Sequence, residues 1–298
     1  MHSLNTSAVF YGDEVNLVAK RRRSTTQVAV TKRLKEQRGQ GTGGNYVPWL
    51  HIQDVPSQGL VSRIKGWKTG RVHHLLSELE TSYFYVLEWA LPVLDIREQF
   101  PLLPLEETQT IAGQLDIAHP ADPRTQEPVI MTTDFLITIQ QGIDSIEVAR
   151  SIKPAQGLQS QRTLEKLEIE RCYWLKRNVD WGIVTEREIP EALVNNVKWL
   201  HPYLRTIELA PLTQMDIDRI ATALSPLILQ ANTPLANVTA ICDDKLGLAP
   251  GTSLSVVRHL LASRRWCVDM SQPIRPNEKL ILSTTSVIST SHEIGEVG

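Results

Sequence analysis

The sequence predicts an α/β protein with two folded domains, and three observations lead to this prediction. The chain has 298 residues, whereas a single domain typically has ~150. Apolar spacing between residues 75 and 185 predicts the order helix, strand, strand, strand, helix, strand. The composition then changes near Glu186. We therefore expect an α/β domain at 46–185 and a second domain at 186–298.

The first four elements of the α/β domain follow from periodicity and from proline. Between residues 75 and 90 apolar side chains recur at three- and four-residue spacing, which predicts a helix that Pro92 ends. Alternating residues predict a strand at 93–100. Segments rich in β-forming residues at 129–139 and 146–152 predict two strands that pair through a turn at 140–142.

The last two elements of this domain are a helix at 163–176 and a short apolar strand at 181–185. Between the strands, residues 105–128 are mixed in character. Pro120 and Pro123 mark turns within them.

Residues 186–298 predict a helix followed by a β-hairpin, which is typical of a winged helix. An amphipathic helix is expected after residues 251–253, with strands at 266–270 and 279–283. The domain has ten basic and twelve acidic residues, so we expect it to bind protein at least as readily as DNA. The polar side chains on its helical side are Arg258, His259, Arg264 and Arg265.

Charge is unevenly distributed along the chain. The net charge is −2, which excludes a wholly basic, histone-like protein, yet residues 1–45 hold eight basic and three acidic side chains. These residues include the basic run at 20–23 and a glycine-rich stretch at 39–44, so they predict a basic flexible arm. Such an arm suits an anionic partner; a solvated tail without a partner is the alternative.

The cysteine content and the hydropathy of the chain indicate its cellular location. The three cysteines are widely spaced and form no CxxC pair, so a zinc ribbon is not expected. Residues at the N-terminus lack the apolar stretch of a signal peptide, and no run approaches the ~18 apolar residues of a membrane span. We therefore expect a cytoplasmic protein without a membrane partner.

A spaced motif on the predicted strand pair suggests nuclease chemistry. Asp134 lies on the first strand, and Lys153 follows Ser151 and Ile152 at the end of the second. This arrangement resembles the split nuclease pattern PD…(D/E)xK, in which carboxylate and carbonyl oxygens hold Mg²⁺ and a lysine stabilises charge at the phosphate. The spacing alone is weak. Asp134 could instead bond to backbone groups, and Lys153 could be a solvated strand-end cation.

Glu80 adds a third candidate from the first helix. It shares a helical stripe with the core-facing residues Leu76, Tyr83 and Leu87, and a buried carboxylate needs a metal or a cationic partner. The alternative is a capping box, because Ser77 and Glu80 match S-x-x-E. The sequence leaves both interpretations open.

Longer stretches around these residues form a recognisable series. They are Gly39–Gly41 with 46–50, KTGRVHHLLSELE at 68–80, LDIREQFPLLP at 94–104, TTDFL at 132–136 and KPAQGLQSQRTLEKLEIERCYW at 153–174. Together, over roughly residues 33–200, they resemble the TnsA family, whose members are the endonuclease subunits of heteromeric transposases of the Tn-seven type. The resemblance implies a restriction-endonuclease-like first domain, with Glu80, Asp134 and Lys153 as catalytic residues.

The same resemblance implies a divalent-cation site. Mg²⁺, for which Mn²⁺ can substitute, is expected on Glu80, Asp134, Ser151 and the carbonyl of Ile152. Ser151 departs from the family pattern, in which we expect a glutamine, so direct ligation by its side chain is an open question. Glu170 is either a further ligand or an exposed helix charge.

The implied activity is hydrolysis of the 5′ (non-transferred) strands at transposon-end DNA. A separate DDE-type transposase processes the 3′ ends, and an AAA+ ATPase regulator joins the complex. A non-catalytic adaptor that bridges these partners is the alternative, and a standalone nuclease is a third interpretation. Cations beside the site are expected to contact DNA phosphates, although each one singly could be a solvated charge. They are Lys65, Lys68, Arg71, Arg162 and Lys166.

Overall fold

The computed structural model describes residues 27–55, 60–230 and 232–283, and these residues form a mixed α/β structure. The strands are β1 (Ser62–Lys65), β2 (Val72–Leu75), β3 (Val93–Pro101), β4 (Thr132–Gln141), β5 (Asp144–Ile152) and β6 (Asp180–Val184). The helices are α1 (Gln27–Lys35), α2 (Glu78–Trp89), α3 (Leu105–Gln114), α4 (Gln161–Leu175), α5 (Glu191–Leu200), α6 (Gln214–Gln230), α7 (Leu235–Leu246) and α8 (Thr252–Ala262).

The main sheet has four strands in the order β3-β4-β5-β6 and carries apolar clusters on both faces. β3, β4 and β5 are antiparallel neighbours, while β5 and β6 run parallel and are joined through α4. Phe84 of α2 packs with Phe135 in one cluster, and Ile169 of α4 packs with Leu136 in the other. The predicted order of helix, three strands, helix and strand is confirmed, with boundaries shifted by a few residues. Helix α3, within the mixed segment, is not predicted by the sequence.

A second element that the sequence does not predict is the β1-β2 hairpin, which directly precedes α2. Its buried side mixes polar and apolar groups, because Leu75 and His73 are both fully buried and His73 pairs with the buried carboxylate of Glu98 on β3. The usual signal of a half-buried strand is apolar alternation, and here a histidine takes one of the two inward positions of a four-residue strand. His73 and His74 therefore lie on β2, before the helix that carries Glu80 begins.

The segment predicted to be a flexible arm is largely structured where the structure describes it. Helix α1 lies within it, and the basic run at 20–23 falls outside the described residues. Gly39 donates to the carbonyl of Val47 at 2.6 Å, and a Cβ at Gly39 would lie 2.3 Å from Pro101. Arg38 is buried and bonds to Asp54 at 2.5 Å. Gly39 thus allows the backbone to approach β3 closely, which is a different role from the hinge that the sequence predicts.

The C-terminal domain is helical, and the winged helix is not confirmed. Helix α8 forms where it is predicted, but residues 266–270 and 279–283 form no strand. Their neighbours bond to helix ends and side chains instead: Leu235 donates to the carbonyl of Glu278 at 2.8 Å, and Asn196 donates to that of Gln272 at 2.8 Å. Across the expected hairpin, the backbone N–H of Ser283 donates to the carbonyl of Cys267 at 2.7 Å.

Of the polar side chains predicted on the helical side of this domain, Arg264 contacts the first domain, where it donates to the carbonyl of Trp89 and lies over its ring. His259 and Arg258 contact their own domain: His259 is buried and bonds to the carbonyl of Tyr203 at 2.9 Å, and Arg258 stacks on Tyr203. Within the described ranges, no helix is both long and apolar enough to cross a bilayer.

Candidate active site

Glu80 enters the site from the first turn of α2. Ser77 is the N-cap of that helix, and its hydroxyl accepts from the Glu80 backbone N–H at 3.1 Å. The Glu80 carboxylate accepts in return from the backbone N–H of Leu76 at 2.9 Å and from the Ser77 hydroxyl at 3.0 Å. Ser77 therefore caps the helix, but the Glu80 carboxylate reaches the backbone N–H of Leu76 and not that of Ser77, so the reciprocal capping box is incomplete. The buried-acid interpretation is confirmed, since Glu80 is 7% exposed.

Asp134 and Lys153 meet at the end of the β4-β5 hairpin. The Lys153 ammonium lies 2.6 Å from Oδ2 of Asp134 and 3.0 Å from the carbonyl oxygen of Ile152. The Ile152 N–H donates to the same Asp134 oxygen at 2.7 Å. These contacts fix the aspartate and the lysine against the strand end, so two of the three predicted catalytic side chains are in direct contact.

The charged side chains of this cluster are largely buried, and their pKa values are shifted as a result. Burial and, after it, the nearby charge of Asp134 raise the pKa of Glu80 to about 7, against the opposing effect of the hydrogen bonds from Leu76 and Ser77. For Lys153, burial acts to lower the pKa, but Asp134 outweighs it and the pKa lies above its usual value. The lysine is thus held as a cation between acidic groups.

A glutamine that the sequence does not single out completes this group. Gln99 of β3 is 2% exposed, and its side-chain N–H donates to Glu80 at 3.2 Å. Its backbone has φ +50°, in the left-handed region that residues other than glycine seldom adopt. The stretch LDIREQFPLLP contains Gln99, but no spacing rule marks a glutamine within a strand.

Ser151 is fully buried, and its hydroxyl donates to the carboxylate of Glu170 on α4. The same carboxylate oxygen accepts from Thr133 at 2.7 Å and from the Trp181 indole at 3.1 Å. The Ser151 side chain is thus bonded to another acid, and its direct ligation of a cation stays a prediction. Glu170 is buried rather than exposed, and burial followed by the charge of Asp134 raises its pKa.

The residues present suit a hard divalent cation. Glu80, Asp134 and the Ile152 carbonyl offer oxygen donors, which Mg²⁺ and Mn²⁺ prefer. The Lys153 ammonium already bonds to two of these oxygens, so the donors are arranged around a positive charge. Among the described residues, no three His, Cys, Asp or Glu side chains gather closely enough to bind a metal by themselves. A cation here would therefore rely on carbonyl, phosphate or water oxygens as well.

The five cations predicted to contact DNA have different environments. Lys65 and Lys166 are exposed, whereas Lys68 and Arg162 are half-buried. Arg162 also lies 2.9 Å from Glu165. The structure contradicts the predicted phosphate contact of Arg71, because the Arg71 guanidinium forms a buried ion pair with Glu98. It holds the β1-β2 hairpin to β3 instead.

Comparison with known proteins identifies the family. The model described as TnsA-like endonuclease N terminal matches residues 92–186, and the model described as TnsA endonuclease C terminal matches residues 188–270. Transposon Tn7 transposition protein TnsA of Escherichia coli is 40% identical over 276 residues, which cover 91% of this chain and 97% of that protein. Both domains and nearly the whole length are thus accounted for by one family. The chain belongs to the TnsA endonuclease family.

Proposed function

We propose that this protein is the Mg²⁺-dependent DNA endonuclease subunit of a transposase, and that it cuts the 5′ strands at transposon ends. The observation that carries the proposal is the contact of Lys153 with Asp134 at the end of a β-hairpin, beside the buried carboxylate of Glu80. Two acids and an amine placed in this way suit phosphodiester hydrolysis. The family name supports the nuclease class, and its relative is named as a transposition protein.

Each side chain has a role that its contacts support. A bound Mg²⁺ would polarise the scissile phosphate and lower the pKa of the attacking water. Asp134 and Glu80, with the Ile152 carbonyl, would hold that cation. Lys153, fixed at 2.6 Å from Asp134, would place its positive charge beside the phosphate as negative charge develops there. Its raised pKa keeps the amine charged through the neutral range.

A subunit that cuts only one DNA strand at each transposon end needs partners that process the other strand. A DDE-type transposase would cut and join the 3′ ends, and an AAA+ ATPase regulator would control the assembly. We place the contacts to DNA near Lys65, Lys68, Arg162 and Lys166, where positive charge would neutralise phosphates and make binding sensitive to salt.

The function is tested by mapping broken strands at transposon ends. The protein, its transposase, its regulator, donor DNA and Mg²⁺ are mixed, and breaks are located on sequencing gels. Asp134→Ala should lower 5′-strand cleavage on the order of 10³-fold and leave 3′ breaks in place. The matched control is Asp144→Asn, an exposed carboxylate at the other end of the same hairpin, which should cut normally.

Undiminished 5′ breaks with Asp134→Ala would reject the proposed active site. Loss of both 5′ and 3′ breaks at equal rates would indicate an adaptor that only assembles the complex. Cleavage by the wild type without any partner would instead indicate a standalone nuclease.

A further inference from the structure

Gln99 occupies an unusual position in the sheet. The pairs of β3 and β4 on either side are Glu98 with Phe135 and Phe100 with Thr133, so Gln99 lies opposite Asp134 in the register. The backbone at Gln99 leaves the extended conformation with φ +50°, and no pair between it and Asp134 forms part of the ladder. The ladder is thus interrupted at the point where β4 carries the predicted catalytic aspartate.

The Gln99 side chain is held at both ends of its amide. The nitrogen donates to Glu80 at 3.2 Å, and the oxygen accepts from the Thr132 hydroxyl at 3.3 Å. The Gln99 backbone carbonyl also accepts from the N–H of Trp49 at 3.2 Å, and Trp49 is itself 1% exposed. These contacts leave the amide little freedom to rotate or to exchange its partners.

The bond from Gln99 differs in kind from the other bonds to the Glu80 carboxylate. Leu76 and Ser77 lie within four residues of Glu80, so their donors fix the carboxylate only relative to its own helix. Gln99 donates from β3, nineteen residues away in sequence. It is therefore the described donor that sets Glu80 relative to the sheet that carries Asp134 and Lys153.

The backbone conformation at position 99 indicates that the glutamine is present for its side-chain amide. The left-handed region is sterically unfavourable for residues other than glycine, and asparagine adopts it more readily than glutamine. Glycine or asparagine would adopt this backbone conformation more easily. Neither could extend a donor as far as Glu80.

We propose that Gln99 is a positioning residue that holds the Glu80 carboxylate toward Asp134 and so preorganises the cation site. The inference rests on the proposed function, because it assumes that these two carboxylates share a divalent cation. Groups that orient a metal ligand usually contribute 10–100-fold to metal affinity or activity. Gln99 acts through Glu80 and is not itself a catalytic residue.

The test measures Mn²⁺ binding by the full-length protein without DNA, using electron paramagnetic resonance of the free ion. Gln99→Met keeps the length of the side chain and removes the donor. Gln99→Asn keeps an amide and favours the left-handed backbone, but it is one methylene too short to reach Glu80. The matched control is Gln126→Met, since Gln126 is an exposed glutamine with φ +59° far along the chain from Glu80.

We expect both Gln99 variants to bind Mn²⁺ about tenfold more weakly than wild type, while Gln126→Met binds normally. Melting temperatures are recorded in parallel, and if Gln99→Met fails to fold, Gln99→Asn decides. Wild-type affinity in Gln99→Asn would overturn the proposal, because the backbone conformation alone would then account for the glutamine. Wild-type protein that binds no Mn²⁺ would overturn the metal-dependent function along with it, whereas normal binding by both variants would overturn only the role of Gln99.

Discussion

Buried carboxylates in the α/β domain differ in what neutralises them. For Glu98, burial acts to raise the pKa, but His73 and Arg71 outweigh it and hold the pKa far below its usual range. Glu80 accepts hydrogen bonds from neutral groups instead, and its pKa rises to about 7. A buried carboxylate that is ion-paired within the protein, such as Glu98, has a structural role. A buried carboxylate that accepts only from neutral donors, such as Glu80, is a candidate ligand for a cation.

The stacked imidazoles of His51 and His74 give a residue-scale test through pH. Their ring centroids are 4.5 Å apart, and burial, with the charge of His51, lowers the pKa of His74 to about 4. The folded state therefore favours neutral His74, while the unfolded chain protonates it near pH 6.5. Stability that His74 contributes is complete above pH 6.5 and is lost as the pH falls toward 4.

We expect His74→Asn to flatten this dependence, because asparagine can still accept from the Ile52 N–H but does not titrate. Between pH 7 and pH 4 the wild type should lose on the order of 1 to 2 kcal/mol more than the variant, a figure reduced for the partial exposure of the ring. Urea denaturation at several pH values measures the difference. Parallel curves for the two proteins would show that His74 is not held neutral.

At the scale of elements, the sequence predicts the parts of the site that rest on regular patterns. The helix of Glu80 and the hairpin of Asp134 and Lys153 follow from apolar periodicity, and the hairpin predicts that Asp134 and Lys153 meet, whereas the place of Glu80 beside them is implied by the family resemblance. The β1-β2 hairpin could not be predicted, because its strands have four residues each and one inward position holds the polar His73. The conformation of Gln99 could not either, since it depends on contacts with Trp49 and Thr132 that come from distant parts of the chain.

The β1-β2 hairpin provides an element-scale prediction. Arg71→Met should lower the free energy of unfolding by roughly 3 kcal/mol, because it removes the guanidinium that is ion-paired with the buried Glu98 carboxylate. The control is Arg63→Met on the same hairpin, where the side chain is exposed and the change should stay within about 0.5 kcal/mol. Equal stability of the two variants in urea would contradict the structural role assigned to Arg71.

On the scale of the whole molecule, α5 belongs to two apolar cores. Val194 and Val197 pack in the cluster that contains Phe84 of α2, whereas Leu200 packs in the cluster of the C-terminal helices. The Trp67 indole N–H also donates to the carbonyl of His201 at 2.9 Å, just after α5 ends. The helix that begins the C-terminal part of the chain therefore also completes the core of the nuclease part.

Two truncated chains test this shared helix. A chain that ends at residue 185, the predicted domain boundary, lacks Val194 and Val197, while a chain that ends at residue 203 keeps α5 (Glu191–Leu200) and His201. Burying two valines contributes about 3 to 6 kcal/mol, so the longer chain should be the more stable by that amount and the shorter one should aggregate. Urea denaturation and size-exclusion chromatography of both chains measure this. A shorter chain as stable and as soluble as the longer one would show that the nuclease core is complete without α5.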